Sequence, residues 1–265
     1  MMNISLKTLR DKRYSLLWWS VGVVLLNLTV VLFYPSVSSV PAYNQILQEM
    51  PPALLNLFAG NITSFTSPEG YLNSQLFFLL LPFVFLGFNL LLGSESIARE
   101  ERRGTLDLLL SNPVSRWRIV VEKFASITVL NAVLGLAVLL SLFIGAWMVD
   151  MDISAWNLLD VSISLVVLGI FFGAFATALS AATGKNELSM EITGALGVAA
   201  YILNALAPVV DELEPYRELS AFYYYIGNNP IINGLEPWDI LILLVVSGLF
   251  LFVGILVFER RDLGV

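Results

Sequence analysis

Residues 240–258 read ILILLVVSGLFLFVGILVF; 16 of these 19 are Leu, Ile, Val or Phe, and none is charged. A helix needs about 20 such residues to cross the ~30 Å hydrocarbon core of a bilayer. At roughly −0.3 to −0.6 kcal/mol each at mid-membrane, they favour insertion by several kcal/mol, an upper bound because depth weakens each contribution. Working outward, five more uncharged apolar runs occupy about 15–34, 72–92, 124–149, 161–183 and 192–210, the last being the weakest because it is rich in Ala and Gly. Barrel strands would instead alternate over segments of about 10 residues. The expectation is an all-α integral membrane protein with six transmembrane helices, forming a single transmembrane domain over 1–265. The first run starts too late and is too long for a removable signal peptide, so it is read as a retained helix.

Composition agrees. Of 265 residues, 57% are hydrophobic and 13% charged, against about 25% charged in an ordinary soluble domain. There is no Cys and no His, which excludes disulfides, thiol and imidazole catalysis, and most zinc or haem ligation. Catalytic and metal-ligating residues are therefore expected to be none. No basic patch with interleaved aromatics points to nucleic acid.

The 14 basic residues fix the orientation. Lys7, Arg10, Lys12 and Arg13 precede the first run. Arg99, Arg102, Arg103, Arg116, Arg118 and Lys123 lie between the second and third, Lys185 lies between the fourth and fifth, and Arg260 and Arg261 follow the sixth. Only Arg217 falls on the other side. Basic residues accumulate in cytoplasmic loops, so both termini are expected in the cytoplasm. The opposite side collects acids such as Glu49, Glu69, Asp150, Asp152, Asp211, Glu212, Glu214, Glu218, Glu236 and Asp239, read as a solvated face or as an attraction for cations.

Three connecting segments have character of their own. Residues 4–17 mix Ile4, Leu6, Leu9 and Leu16 with four cations, which fits either a short basic helix lying in the interface or a plain positive flank. The loop 35–70 contains ALLNLFA at 53–59, too short to span the membrane but apolar enough to lie on it. The loop 211–238 carries Tyr216, Phe222, Tyr223, Tyr224 and Tyr225 with Asn-rich turns, fitting an interfacial aromatic belt or a re-entrant hairpin capping a path. Among polar residues inside the runs, Asn27, Asn89 and Asn204 are candidates for lining that path, or for hydrogen-bonding helices together. The Gly169-xxx-Gly173 stripe, continued by Thr177, lets another helix approach closely, more plausibly within the chain than between copies.

The loop 93–123, GSESIAREERRGTLDLLLSNPVSRWRIVVEK, is the most informative. Glu95 and Arg99 stand one helical turn apart. Gly104 interrupts the charged helix and Thr105 can cap another. Leu106, Leu109 and Leu110 then form an apolar face, with Asp107 in the first turn where the helix dipole favours an acid. Asn112-Pro113 ends this helix, and Ser115 can cap the next. These leucines either cover part of the chain itself or fill a groove in a partner.

The run from Glu100 to Arg116 resembles the E-x-R-x-G-T-L-x-x-L-L-S-x-P-V-S-R stretch of ABC-2 type transporter permeases. The tail FERRDL at 258–263 and LSAFYYY at 219–225 are similar to further stretches of that family, and size and span number agree. The resemblance implies a permease subunit of an ABC transporter in a prokaryotic cytoplasmic (inner) membrane, in most relatives an exporter. It implies pairing with a second copy or a related permease, surrounded by membrane lipid, and a separate ABC ATPase subunit that binds ATP and Mg; this chain is expected to bind no cofactor. On the same basis Arg99, Glu100, Arg103, Gly104, Thr105, Leu106, Asp107, Leu109, Leu110, Ser111 and Pro113 become the ATPase contact, a coupling helix between spans two and three. Phe222, Tyr223 and Tyr224 become an outer gate.

The chain carries no nucleotide-binding loop of its own. Its single Gly-Lys pair, Gly184-Lys185, is followed by Asn186, and Leu179 stands where the first glycine of a phosphate-binding loop is required. An ion-coupled secondary carrier would need ionisable groups within the bilayer, and the six runs have none. A non-transporting scaffold subunit leaves the cytoplasmic amphipathic helix without a purpose.

Overall fold

The computed structural model describes residues 4–40, 42–58, 60, 64–102, 104 and 115–261, with only the backbone given for 45–48 and 58. The described residues are helical with no strand. Helices α1 (Ile4–Ser38), α2 (Ala42–Glu49), α3 (Pro52–Phe58) and α4 (Pro68–Leu72) lead through a π turn (Asn73–Phe77) into α5 (Leu80–Arg102). Then follow α6 (Arg116–Met148), α7 (Ala155–Thr183), α8 (Asn186–Leu206), α9 (Ala221–Ile226), α10 (Pro230–Asn233) and α11 (Pro237–Arg260). Six of the helical stretches are long and apolar enough to cross a membrane, and they cover the six runs expected from the sequence, with those over 124–149 and 192–210 each ending one residue sooner.

The helices overrun those apolar runs. At 1.5 Å per residue, the 35 residues of α1 extend about 52 Å, well beyond the hydrocarbon core. The basic segment 4–17 is therefore not a separate helix lying in the interface: it continues without interruption into the first span. No Gly or Pro lies between Ile4 and Trp19 to break it.

Helix α7 is the axis of the bundle, packing against α5, α6 and α11. Its start is set by Ser154 in extended conformation and its end by Gly184 at φ +65°, whose N–H returns to the Ser180 carbonyl at 2.9 Å. The Gly169/Gly173 stripe faces partners within the chain. A Cβ on Gly169 would lie 2.5 Å from Asn131 Oδ1, and one on Gly93 of α5 would lie 2.7 Å from Ala176 Cβ and 2.9 Å from the Gly173 carbonyl. Small residues thus bring α5 and α7 nearly to backbone contact, as expected of polar or small-residue packing in membranes.

At the same point Asn89 donates to Asn131 Oδ1 at 2.7 Å, and Asn131 donates to the Val166 carbonyl at 2.8 Å, joining α5, α6 and α7. The main core fills the space between these helices. Helices α1 and α11 turn exposed Leu25, Leu32 and Phe33, and Val245, Leu249 and Phe252, outward, the face a lipid-exposed perimeter requires.

Candidate functional site

Ile4 at the start of α1, Arg261 beyond α11, the end of α5 and the start of α6 meet at one end of the bundle. Here the last turns of α5 fan their charges to four other elements. Glu95 meets Lys12 of α1 at 2.5 Å and Arg99, one turn on, at 3.0 Å. Glu100 meets Lys123 of α6 at 2.8 Å, Glu101 pairs with Arg261 beyond α11, and Arg102 meets Glu187 of α8 at 3.0 Å. Beneath the ion pairs lies a small apolar cluster separate from the main core: Ile4, Ile97, Ile119, Val120, Ala181 and Phe258, one or two residues from each of five helices.

Helix α7 grips α5 through a single side chain. Ser180 Oγ accepts from the Ile97 and Ala98 amides at 3.2 and 3.1 Å and donates to the Ser94 carbonyl at 2.7 Å.

The described residues that flank 105–114 are fixed to the bundle on both sides. Gly104 takes φ +65°, a left-handed turn that favours glycine, and its N–H reaches the Glu101 carbonyl at 3.0 Å to close α5. On the other side Arg116 donates to the carbonyls of Phe258 and Arg261 at 2.9 and 2.8 Å and lies 5.7 Å from the Phe258 ring centroid. A cation on the terminal carbonyls of α11 also suits the helix dipole. Ser115 occupies the position expected for a cap on α6, although its side chain makes no capping bond.

Of the expected ATPase contacts, Arg99, Glu100 and Gly104 are therefore placed, and Arg99 and Glu100 are engaged with the chain's own Glu95 and Lys123. Arg103, Thr105, Leu106, Asp107, Leu109, Leu110, Ser111 and Pro113 lie outside the described residues. A crevice of about 420 Å³, lined by Lys7, Lys12, Glu95, Arg99, Glu100 and Lys123, opens between α1, α5 and α6 beside this assembly.

At the opposite end, α9 and α10 pack into the bundle against α7, and α9 also against α11. Ser220 caps α9 by accepting from the Phe222 amide and donates to the Ala200 carbonyl at 2.7 Å. Tyr225 donates to the Phe77 carbonyl of the π turn at 2.8 Å.

The three expected gate residues separate. Phe222 is fully buried among Tyr201, Phe83, Phe172 and Tyr225. Tyr223 and Tyr224 stay half-buried and meet edge to face with ring centroids 5.1 Å apart. Burial first, then the Glu218 carboxylate, raises the Tyr224 phenol pKa above its ordinary value, so it stays protonated at neutral pH.

The three expected path residues separate too. Asn27 donates to Ser141 at 2.9 Å, tying α1 to α6, and Asn89 is the tie to Asn131. Asn204 borders a cavity of about 450 Å³ between α8, the π turn and the hairpin. Sequence reasoning used Lys123 and Arg261 only to set the orientation, took Ser180 as one of several polar residues inside the runs, and did not single out Asn73. A serine in an apolar helix carries no mark of which neighbour it will grip. Arg217 did carry a signal, as the one basic residue on its side.

The sequence pattern described as ABC-2 family transporter protein matches residues 2–263. The chain belongs to the ABC-2 transporter family. No curated protein matches it. An ABC-2 membrane protein is the membrane component of a transporter; it lacks an ATPase of its own, and the family in general implies an ABC ATPase partner and a dimeric arrangement.

Proposed function

We propose that the chain is the permease subunit of an ABC exporter. Two copies form the path, and segment 103–113 docks on a separate ATP-hydrolysing subunit that binds ATP and Mg in the cytoplasm. The observation that carries this is the double anchoring of the segment. On one side α5 is ion-paired to α1, α6, α8 and the tail; on the other, Arg116 is bonded to the end of α11. A displacement applied to the segment is thereby passed to every spanning helix, with Ser180 linking α7. The positive-inside distribution supports a cytoplasmic position for this end, and outward transport rests on the resemblance to the family's exporters.

A photo-crosslinking side chain introduced at Asn112 in native membranes tests the reading. It should capture a nucleotide-binding polypeptide, while the same group at Asn228 should not. Capture of no nucleotide-binding polypeptide from Asn112 would overturn it.

A further inference from the structure

The cavity at the end opposite the termini has a composition that stability alone does not call for. Asparagines from four separate regions converge on it: Asn56 of α3, Asn73 of the π turn, Asn204 of α8, and Asn228 and Asn233 of the hairpin. Arg217 joins them. The side-chain oxygen of Asn73, a residue only 2% exposed, has no hydrogen-bond partner, although a buried amide left unsatisfied is costly. Asn73 also opens the one π turn among the described residues, where the Phe78 amide reaches back five residues to the Asn73 carbonyl at 2.8 Å. Such turns occur disproportionately at functional sites.

Arg217 is positioned but not neutralised. Its Nε donates to Asn204 Oδ1 at 3.3 Å, and its guanidinium lies 5.3 Å from the Tyr223 ring centroid. Asp211, Glu212, Glu214 and Glu218 are all within a few residues in sequence, yet among the described residues no carboxylate pairs with it. A guanidinium held by Nε and a ring, with its terminal nitrogens left over, is arranged to take a phosphate or carboxylate in a two-pronged bond. The surrounding amides donate and accept at once, which matches hydroxyl groups.

The geometry points to a binding site for an anionic, hydroxyl-bearing headgroup of the glycerophosphate class, with the phosphate on Arg217 and the hydroxyls on the asparagines. This goes beyond the docking reading and is independent of it, because binding is measured on the chain without any ATPase. The ligand can reach the site as the headgroup of an anionic lipid or as a soluble phosphate ester.

The test is native mass spectrometry and titration of the purified full chain with three probes: dihexanoyl phosphatidylglycerol, dihexanoyl phosphatidylcholine and glycerol 3-phosphate. Saturable binding of phosphatidylglycerol at least tenfold tighter than phosphatidylcholine is expected. Competition by glycerol 3-phosphate would identify a soluble ligand, and its absence a lipid one; both outcomes support the site. Arg217→Gln should weaken binding at least tenfold. Asn204→Asp, which keeps the shape and the bond to Nε but supplies Arg217 with a carboxylate, should do the same without loss of folding. Equal binding of the two lipids, no saturable binding of any probe, or unchanged affinity in a folded Asn204→Asp chain would overturn the proposal.

Discussion

Lys123 Nζ stands 2.8 Å from Glu100 Oε1, and the lysine side chain is only 8% exposed. This contact fixes the last turn of α5 to the first turns of α6, the two elements that flank segment 103–114. Removing one member of a buried pair leaves the other charge uncompensated, at a cost of about 3 kcal/mol. Glu100→Gln should therefore lower unfolding stability in detergent by roughly that amount. Lys123→Met combined with Glu100→Gln should recover most of it. Simple additivity of the two changes in a double-mutant cycle would show that the pair is not coupled.

The contact of α5 with α7 should be intolerant of a methyl group. A Cβ on Gly93 meets Ala176 Cβ and the Gly173 carbonyl below 3 Å, and both are fixed in a helix, so neither can yield cheaply. Gly93→Ala should cost about 1–3 kcal/mol, the usual range for overpacking. Gly248→Ala, where nothing lies within 4 Å, should leave unfolding unchanged. Equal behaviour of the two variants would contradict the packing described.

Asn89 and Asn131 tie helices together, so their replacement should affect stability before transport. Asn89→Leu should cost roughly 0.6 to 1.7 kcal/mol, as interhelical hydrogen bonds in membranes do. Transport rates with saturating substrate should stay close to those of the parent chain. A selective change in substrate preference at unchanged stability would place Asn89 on the path instead.

Orientation can be read by labelling, and the absence of native cysteine leaves no background. Single cysteines replacing Ser39, Asp152 and Asn228, all exposed, should react with an impermeant thiol reagent from outside. Those replacing Arg10, Asn112 and Lys185 should react only after the membrane is opened. Labelling of Asn112→Cys from outside would invert the topology.

The spans were legible in the sequence because hydrocarbon imposes a long uncharged run wherever a helix crosses. The Gly169/Gly173 stripe was legible for a similar reason: close helix approach leaves no room for larger side chains. What escaped were contacts that depend on which helices become neighbours. Nothing in the sequence near Ser180 says that it will bond three backbone groups of α5. Asn27 and Asn204 look alike as lone asparagines in apolar runs, yet one joins two helices and the other borders a cavity. Of the two readings of residues 4–17, the unbroken α1 favours the positive flank; cations among leucines suit the water boundary and the protruding end of a long spanning helix equally well. The leucine face at 106–110 lies outside the described residues and remains a reading from the sequence.

The most direct test of the docking account is the amount of ATP-hydrolysing subunit recovered with the tagged chain from native membranes, compared between the parent and Leu109→Ser/Leu110→Ser. Burying a leucine contributes about 1.5–3 kcal/mol, and each ~1.4 kcal/mol is a tenfold change in affinity. The parent chain should bring down its motor in a two-plus-two assembly that hydrolyses ATP. The double variant should insert and fold normally but lose the motor by at least about tenfold, and the chain alone should hydrolyse no ATP. Full recovery of the motor with the double variant, or ATP hydrolysis by the purified chain alone, would contradict the account.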